Sequence, residues 1–432
     1  MKEKLNHLTG MYDRGSNLTR EIQAGLTSFF AIVYIIVVNA TILSDAGIPI
    51  EGAVWATIIT SMAGCLIVGF GANVPLILVP GMGVNAMFTY TFVHAMGLSW
   101  QEALAAVFVS GIVFVLISFT RLAHVLAASI PNTLKEAISV GLGLFLAFLG
   151  LEKSQIIVRG EHALLALGDI GSLEVLAFLL TFIIALGLFL RNIPGHFLIT
   201  IFAGTMIAWL LGLIDTGQME ASGLSLSDYA GVFNAMSFEG IMSITFWIAV
   251  FSLTMVLVFE NIGLVSGQIK QAAQPDDKFA PAMRSVSVSA MLSGLFGSSP
   301  TVSTVEGAAG IAAGGRTGIT SIVTGLLFLA ASLFIPLIKL IPGSAISPIL
   351  IIIGGLMVLN IKNINFNDLS EAFPAFLIIT MIPFTYSIAD GMAFGFIAYP
   401  LAKLAVGKAK EVSMPLYIIA LLFLINFLLQ AI

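Results

Sequence analysis

The sequence predicts an all-α polytopic membrane protein, and three observations predict it. Of 432 residues, 58% are hydrophobic and only 9% charged, too little charge to cover a soluble chain of this length. Mean hydropathy is +1.05. Apolar runs recur from end to end at about 17–25 residues, the length that crosses a bilayer as helix. The net charge of −5 is spread over many loops and points to no nucleic-acid partner. The single cysteine, Cys65, lies in an apolar run, so no disulfide framework exists. The opening "MKEKLNHLTGMYDRGSNLTR" is polar with no apolar centre and reads as a cytoplasmic N-terminus, not a signal peptide.

Fourteen spans follow: 25–44, 51–71, 84–96, 101–120, 133–150, 173–190, 195–214, 245–264, 284–298, 304–313, 319–338, 345–361, 372–388 and 391–405. A last apolar piece, 414–431, could cross or lie at the interface. Positive charge orients them. With the N-terminus inside, 15 Lys and Arg fall in cytoplasmic loops, including Lys2, Lys4, Arg121, Lys403, Lys408 and Lys410. Lys153, Arg159 and Lys339 alone fall outside, completing the 18. Merging 372–405 into one span would weaken that bias.

Two spans, 84–96 and 304–313, are too short to cross alone as helix. Each follows an extended stretch bearing Gly and Pro, "VPLILVPGMG" and "GSSPTVST". Irregular backbone at membrane depth is tolerated only against protein or a wet cavity. These read as discontinuous spans, two half-helices whose N-termini point at one cavity. Fourteen spans divide seven and seven, and an odd number inverts the second copy. Echoes support the division: "VNATILSD" with "ENIGLVSG", setting Asn39 over Asn261 and Asn85 near Glu306, and "IPNTLKEAISVGLG" with "IPGSAISPILIIIG".

An ionisable residue at mid-span costs roughly 2.5–3.5 kcal/mol on insertion scales. Two acids stand there: Glu260, late in the eighth span, and Glu306, opening the tenth. A helix N-terminus favours a charged Glu306, which as an acceptor suits a solute rich in N–H donors. Desolvation within an apolar helix favours the neutral form of Glu260. Gly81, Gly83, Gly307 and Gly310 permit close backbone approach. Plainer readings stand beside these. Gly310, Gly314 and Gly315 suit a packing face. Glu260 suits a structural acid, and Asn85 interhelical glue. Asp390 reads as a helix cap, and His94 and His124 as interfacial. No metal-ligand cluster, phosphate loop or nucleophile triad accompanies them.

The segments "LTREIQAGLTSFFAIVYIIVVNATILSDAGIP", "LVPGMGVNAMFTYTFV", "TVSTVEGAAGIAAGGRTGITSIVTG" and "PFTYSIADGMAFGFIAY" resemble the nucleobase–cation symporter-2 superfamily, within it the azaguanine-resistance-type purine permeases. The resemblance covers nearly the whole chain. It implies a core domain of spans 1–4 and 8–11 (25–130 and 245–340) and a gate domain of spans 5–7 and 12–14 (131–214 and 341–432), with an extracellular loop at 215–244. It implies a base bound between spans 3 and 10 against span 8. Asn85 matches the family's third-span asparagine and Glu306 its tenth-span glutamate, with Val84, Thr304 and Val305 lining the same turns. One place departs: Phe259-Glu260-Asn261-Ile262-Gly263 stands where these permeases carry Phe-Asp and then Gly-Thr. It is closer to the uracil and xanthine branch.

The expected activity is import of guanine, hypoxanthine or adenine across the cell membrane by proton symport, with Glu260 as base-binding and proton-coupling acid and Glu306 reading base N–H groups. No cofactor or metal is expected. The partners are the base, the proton and lipid, with a homodimer allowed. The rivals are a xanthine/uracil-type permease, an anion carrier on the same architecture, which two buried acids would repel, and an intramembrane enzyme, which lacks a nucleophile or metal.

Overall fold

The computed structural model describes residues 9–120, 129–160, 165–214, 229–334 and 340–430. Lys2, Lys4, Arg121, His124 and Lys339, and residues 215–228 of the expected extracellular loop, lie outside the described residues. Among those described, eight helices are long and apolar enough to cross a bilayer, and four shorter apolar helices accompany them. The protein is thus a mostly helical, multi-pass membrane protein.

The first long span is two helices, α1 (Leu18–Ile32) and α2 (Ile35–Asp45), interrupted at Val33–Tyr34. Asn17 starts it by accepting the Arg20 N–H, one of the donors that a helix N-terminus leaves over. Helix α3 (Ile50–Gly71) enters behind Pro49, whose fixed backbone suits a helix start. Next come β1 (Leu78–Pro80), α4 (Met82–Ala86) and a π-helix, Met87–Ala95. The expected third span is therefore not plain α-helix: its later turns are widened, a form found mostly at functional sites. A Ser99–Glu102 capping box opens α5 (Trp100–Phe119). Then follow α6 (Asn132–Lys153), α7 (Leu173–Leu190) and α8 (His196–Leu210). Between α6 and α7 lies a two-residue ladder, β2 (Ile157–Val158) with β3 (Ala166–Leu167).

The second half of the chain runs α9 (Ile244–Gln271), α10 (Phe279–Leu295), β4 (Thr301–Ser303), α11 (Gly307–Ala312), α12 (Gly318–Ala330), α13 (Gly343–Val358), α14 (Leu369–Thr385), α15 (Ile388–Ala405) and α16 (Met414–Gln430). Helix α9 runs seven residues past the expected end at 264, and the span expected at 284–298 is displaced to 279–295. The 372–405 stretch is two helices that pack on each other. Tyr386, in the left-handed region at φ 55°, turns the chain between them. Asp390 does not cap α15; Ser387 does, accepting the Asp390 N–H.

The helices pack in two groups. In the first, α12 lies on α1 and α3, α10 on α3 and α5, α9 on α5, and α11 on α1. In the second, α13 lies on α6, α7 and α8, and α14 on α6 and α15, with α16 against α15. The groups meet where α8 touches α1, α4 touches α6, and α15 touches the π-helix.

Candidate functional site

Strands β1 and β4 pair antiparallel, Leu78 with Ser303, Val79 with Val302 and Pro80 with Thr301. A two-stranded ladder within a helical bundle satisfies backbone groups that neither short helix could. Pro80 is tolerated because β1 has one neighbour only. Each strand delivers the chain to the start of a short helix, and α9 packs against β4, α11 and α4. The extended stretches read from Gly and Pro therefore meet.

Polar side chains of α9 and α2 hold the second strand. The Ser303 N–H donates to Asn261 Oδ1 at 2.9 Å, and the Ser303 hydroxyl to Gln268 Oε1 at 2.8 Å. Gln268 Nε2 donates to the Thr304 carbonyl. Residues 261 and 268 are two helical turns apart and so share a face of α9. Asn39 on α2 accepts from Ser299 Oγ at 3.0 Å and donates to Ser298 Oγ at 3.2 Å. The two asparagines that echo in sequence thus both clasp the approach to α11.

The residues expected at the site lie on α4, on α9 and in the turn between β4 and α11. Val84 and Asn85 are wholly buried on α4. Neither Asn85 Nδ2 nor Oδ1 has a hydrogen-bond partner among the described residues. Thr304 is buried with its Oγ1 likewise unpartnered. Val305 next to it is 69% exposed, an open position between buried Thr304 and half-buried Glu306. Glu260 is half-buried on α9, and its buried Oε2 has no partner. Half-buried Glu306 caps the start of α11 with its backbone, and its Oε1 accepts the Tyr34 hydroxyl at 2.6 Å. A buried polar group without a partner costs about 1–3 kcal/mol. Unpartnered groups thus stand on α4, on α9 and in the turn before α11.

The glycines divide. At Gly81 a side chain would meet Val302 Cγ2 within 2.4 Å of its Cβ, and at Gly310 it would strike Ser28 and Ala24 of α1. At Gly83 it would press on Leu142 of α6. These three admit protein neighbours, which is the packing reading; Gly307 has the loosest surroundings of the four. Gly314 lies at φ +104°, and Gly315 packs on Ala24 and Thr320. His94 is exposed near the end of the π-helix, against the Asp45 carbonyl.

The sequence reading missed Tyr34, Gln268 and Glu21. Gln268 could have been found from its spacing to Asn261. Tyr34 sits in an apolar run, and Glu21 resembles a span-end charge. Glu21 is in fact fully buried, and its carboxylate accepts from Arg316 N–H (3.0 Å), Thr317 N–H (3.3 Å) and Thr320 Oγ1 (2.6 Å). It anchors the "GGRTG" turn between α11 and α12.

Broken spans meeting at polar groups inside a helical bundle define a membrane transport protein. The chain belongs to the Permease family: the family profile, of xanthine/uracil permease type, matches residues 19–427. It is a transporter, not an enzyme. It is 48% identical to the nucleobase transporter PlAzg2 of Paenibacillus larvae subsp. larvae, over 89% of this chain and 78% of that one. It is 37% identical to the guanine/hypoxanthine permease PbuO of Bacillus subtilis, over 96% and 98%. It is 33% identical to the adenine permease AdeP of Escherichia coli, over 98% and 95%. Among solved structures, the transmembrane domain of the cyanobacterial bicarbonate transporter BicA superposes with TM-score 0.64 at 17% identity, covering 86% of this chain and 97% of that one. SLC26A9 superposes with TM-score 0.68 at 11% identity, covering 90% and 65%. These two share the fold.

Proposed function

We propose that this permease imports purine nucleobases (guanine, hypoxanthine or adenine) across the cell membrane by proton symport. The names of its relatives support the substrate class. The observation that supports the site is the presence of unpartnered groups on Asn85, Thr304 and Glu260, carried by α4, the turn before α11, and α9, elements that pack on one another or on the strand pair. A purine base offers ring nitrogens and N–H groups in one plane. Asn85 can serve one acceptor and one donor on it, and the carboxylates of Glu260 and Glu306 can take N–H groups. Val84, Thr304 and Val305 complete the turns around it. Glu260, which makes no hydrogen bond of its own among the described residues, is the proton-coupling acid.

The architecture proposed is fourteen spans in two inverted repeats of seven, with the N-terminus cytoplasmic. The first packing group is the core (25–130 and 245–340) and the second the gate (131–214 and 341–432). Alternating access is core moving against gate. A tie at one end of the seam supports it. Asp45 Oδ2, in the core, pairs with Lys153 of the gate and accepts the Tyr90 hydroxyl at 2.6 Å. The Ile388 N–H of the gate donates to Thr91 Oγ1 of the core at 3.1 Å. In the orientation given by positive charge this end is extracellular, so the arrangement is shut to the outside.

A xanthine/uracil-type specificity is the second reading, favoured by Glu260-Asn261-Ile262-Gly263. Uptake of radiolabelled bases, with and without a proton uncoupler, tests both. Accumulation of label that collapses with the proton gradient is expected, with adenine, guanine or hypoxanthine the best competitor. Equilibration indifferent to the uncoupler contradicts symport, and competition by uracil or xanthine alone contradicts the adenine, guanine or hypoxanthine assignment and favours the second reading.

A further inference from the structure

Tyr34 lies where the first span is interrupted, and it is 1% exposed. A buried phenol needs a partner for its hydroxyl. Here the partner is Glu306 Oε1 at 2.6 Å, a charge-assisted bond across 272 residues of sequence. The ring is itself held, edge-on to Phe197 of the second helix group at 4.9 Å between centroids. Its hydroxyl is therefore aimed and not free to rotate away with the ring. Glu306 Oε2 accepts no hydrogen bond among the described residues, and Val305 beside it stands open.

A carboxylate recognises a fork of two adjacent N–H groups by giving one oxygen to each. With Oε1 already accepting from Tyr34, only Oε2 of Glu306 is wholly free, and a second donor at Oε1 would share that oxygen with the phenol. Guanine carries such a fork in its N1–H and 2-amino group. Hypoxanthine has the same ring without the amino group and presents N1–H alone. We propose that Tyr34 is a specificity-determining residue: by sharing one oxygen of Glu306 it weakens the advantage that the 2-amino group would give guanine over hypoxanthine. The proposal rests on Glu306 reading the base, as set out under the proposed function.

The test is binding of guanine and hypoxanthine to the purified full-length protein, wild type and Tyr34→Phe. Phenylalanine keeps the ring and its contact with Phe197 and deletes only the hydroxyl. In wild type the two bases should bind within about twofold of each other. In Tyr34→Phe the ratio should move about five- to tenfold toward guanine, the worth of one ordinary hydrogen bond strengthened at Oε1. An unchanged ratio, whether both affinities fall together or neither moves, overturns the proposal. Wild-type protein that already prefers guanine tenfold overturns it without any variant, which keeps the test decisive if Tyr34→Phe does not fold. Glu306→Gln separates the layers. Normal binding of both bases to that variant defeats the reading of Glu306 itself, whereas lost binding there with an unmoved Tyr34→Phe ratio defeats only the role of Tyr34.

Discussion

The two half-spans look alike in sequence and are held very differently. The second, β4 with α11, has side-chain anchors along its strand and at its exit: Asn39 at Ser298 and Ser299, Asn261 and Gln268 at Ser303 and Thr304, and Glu21 where the chain leaves α11. The first, β1 with α4, has its anchors before and after the short helix. Ser321 takes the carbonyls of Val74 and Leu76, and Thr89 and Tyr90 reach Ile42 and Asp45. On α4 itself the one amide side chain, Asn85, bonds to nothing among the described residues. One half-span has its strand held by side chains from α2 and α9. The other carries on its short helix an amide with neither end bonded among the described residues.

The difference extends to register. About the centre of the strand pair, Val79 answers Val302. Glu306 is four residues beyond Val302 and Asn85 six beyond Val79, so Gly83 and not Asn85 is the counterpart of Glu306 about that centre. The echo that set Asn85 near Glu306 is offset by two residues at the ladder. An amide and an acid displaced along the two arms can address different edges of one planar base.

The largest effect should come from freeing the second half-span. Glu21→Ala leaves two backbone N–H groups and the Thr320 hydroxyl without their acceptor, costing on the order of 3 kcal/mol. The folded yield after detergent extraction should fall sharply, while Glu21→Gln, which keeps one acceptor oxygen, should recover part of it. Unchanged yield in both would mean that the second half-span does not depend on this anchor.

Span positions were legible in the sequence because length and apolarity are local properties. So were the two breaks, since Gly and Pro cannot hide in a membrane helix. The partners were not. Tyr34 lies 272 residues from Glu306 and Glu21 lies 295 from Arg316. Periodicity reports which face a residue occupies and says nothing of what a distant helix brings to that face. The π-helix at Met87–Ala95 was equally invisible, because Met, Phe, Thr and Tyr suit an α-helix there just as well.

Asn85→Ala gives the next effect and the sharpest contrast. With no structural bond to lose, it should leave folded yield unchanged and weaken base binding by roughly 1–3 kcal/mol, the worth of one or two hydrogen bonds. Intact binding with a fallen yield would make Asn85 interhelical glue and erase the distinction between the half-spans.

A smaller effect is expected where the first half-span ends. The Asp45–Lys153 pair is 31% and 20% exposed, and a pair so placed is worth about 1 kcal/mol or less. Lys153→Met should therefore raise labelling of a cysteine placed in the seam, by an impermeant thiol reagent added to intact cells, about two- to fivefold. No change, or slower labelling, would mean that this end is not the closed outer side.

Glu306 reading the base and Glu260 carrying the proton are separable tasks, and base binding to purified Glu260→Gln and Glu306→Gln between about pH 5 and 8 separates them. Glu306→Gln should lose binding at every pH, because an amide presents a donor where the base needs an acceptor. Glu260→Gln should keep measurable binding and lose its dependence on pH. The reverse pattern, with Glu306→Gln binding normally and only its pH dependence gone, would exchange the two roles and contradict the account.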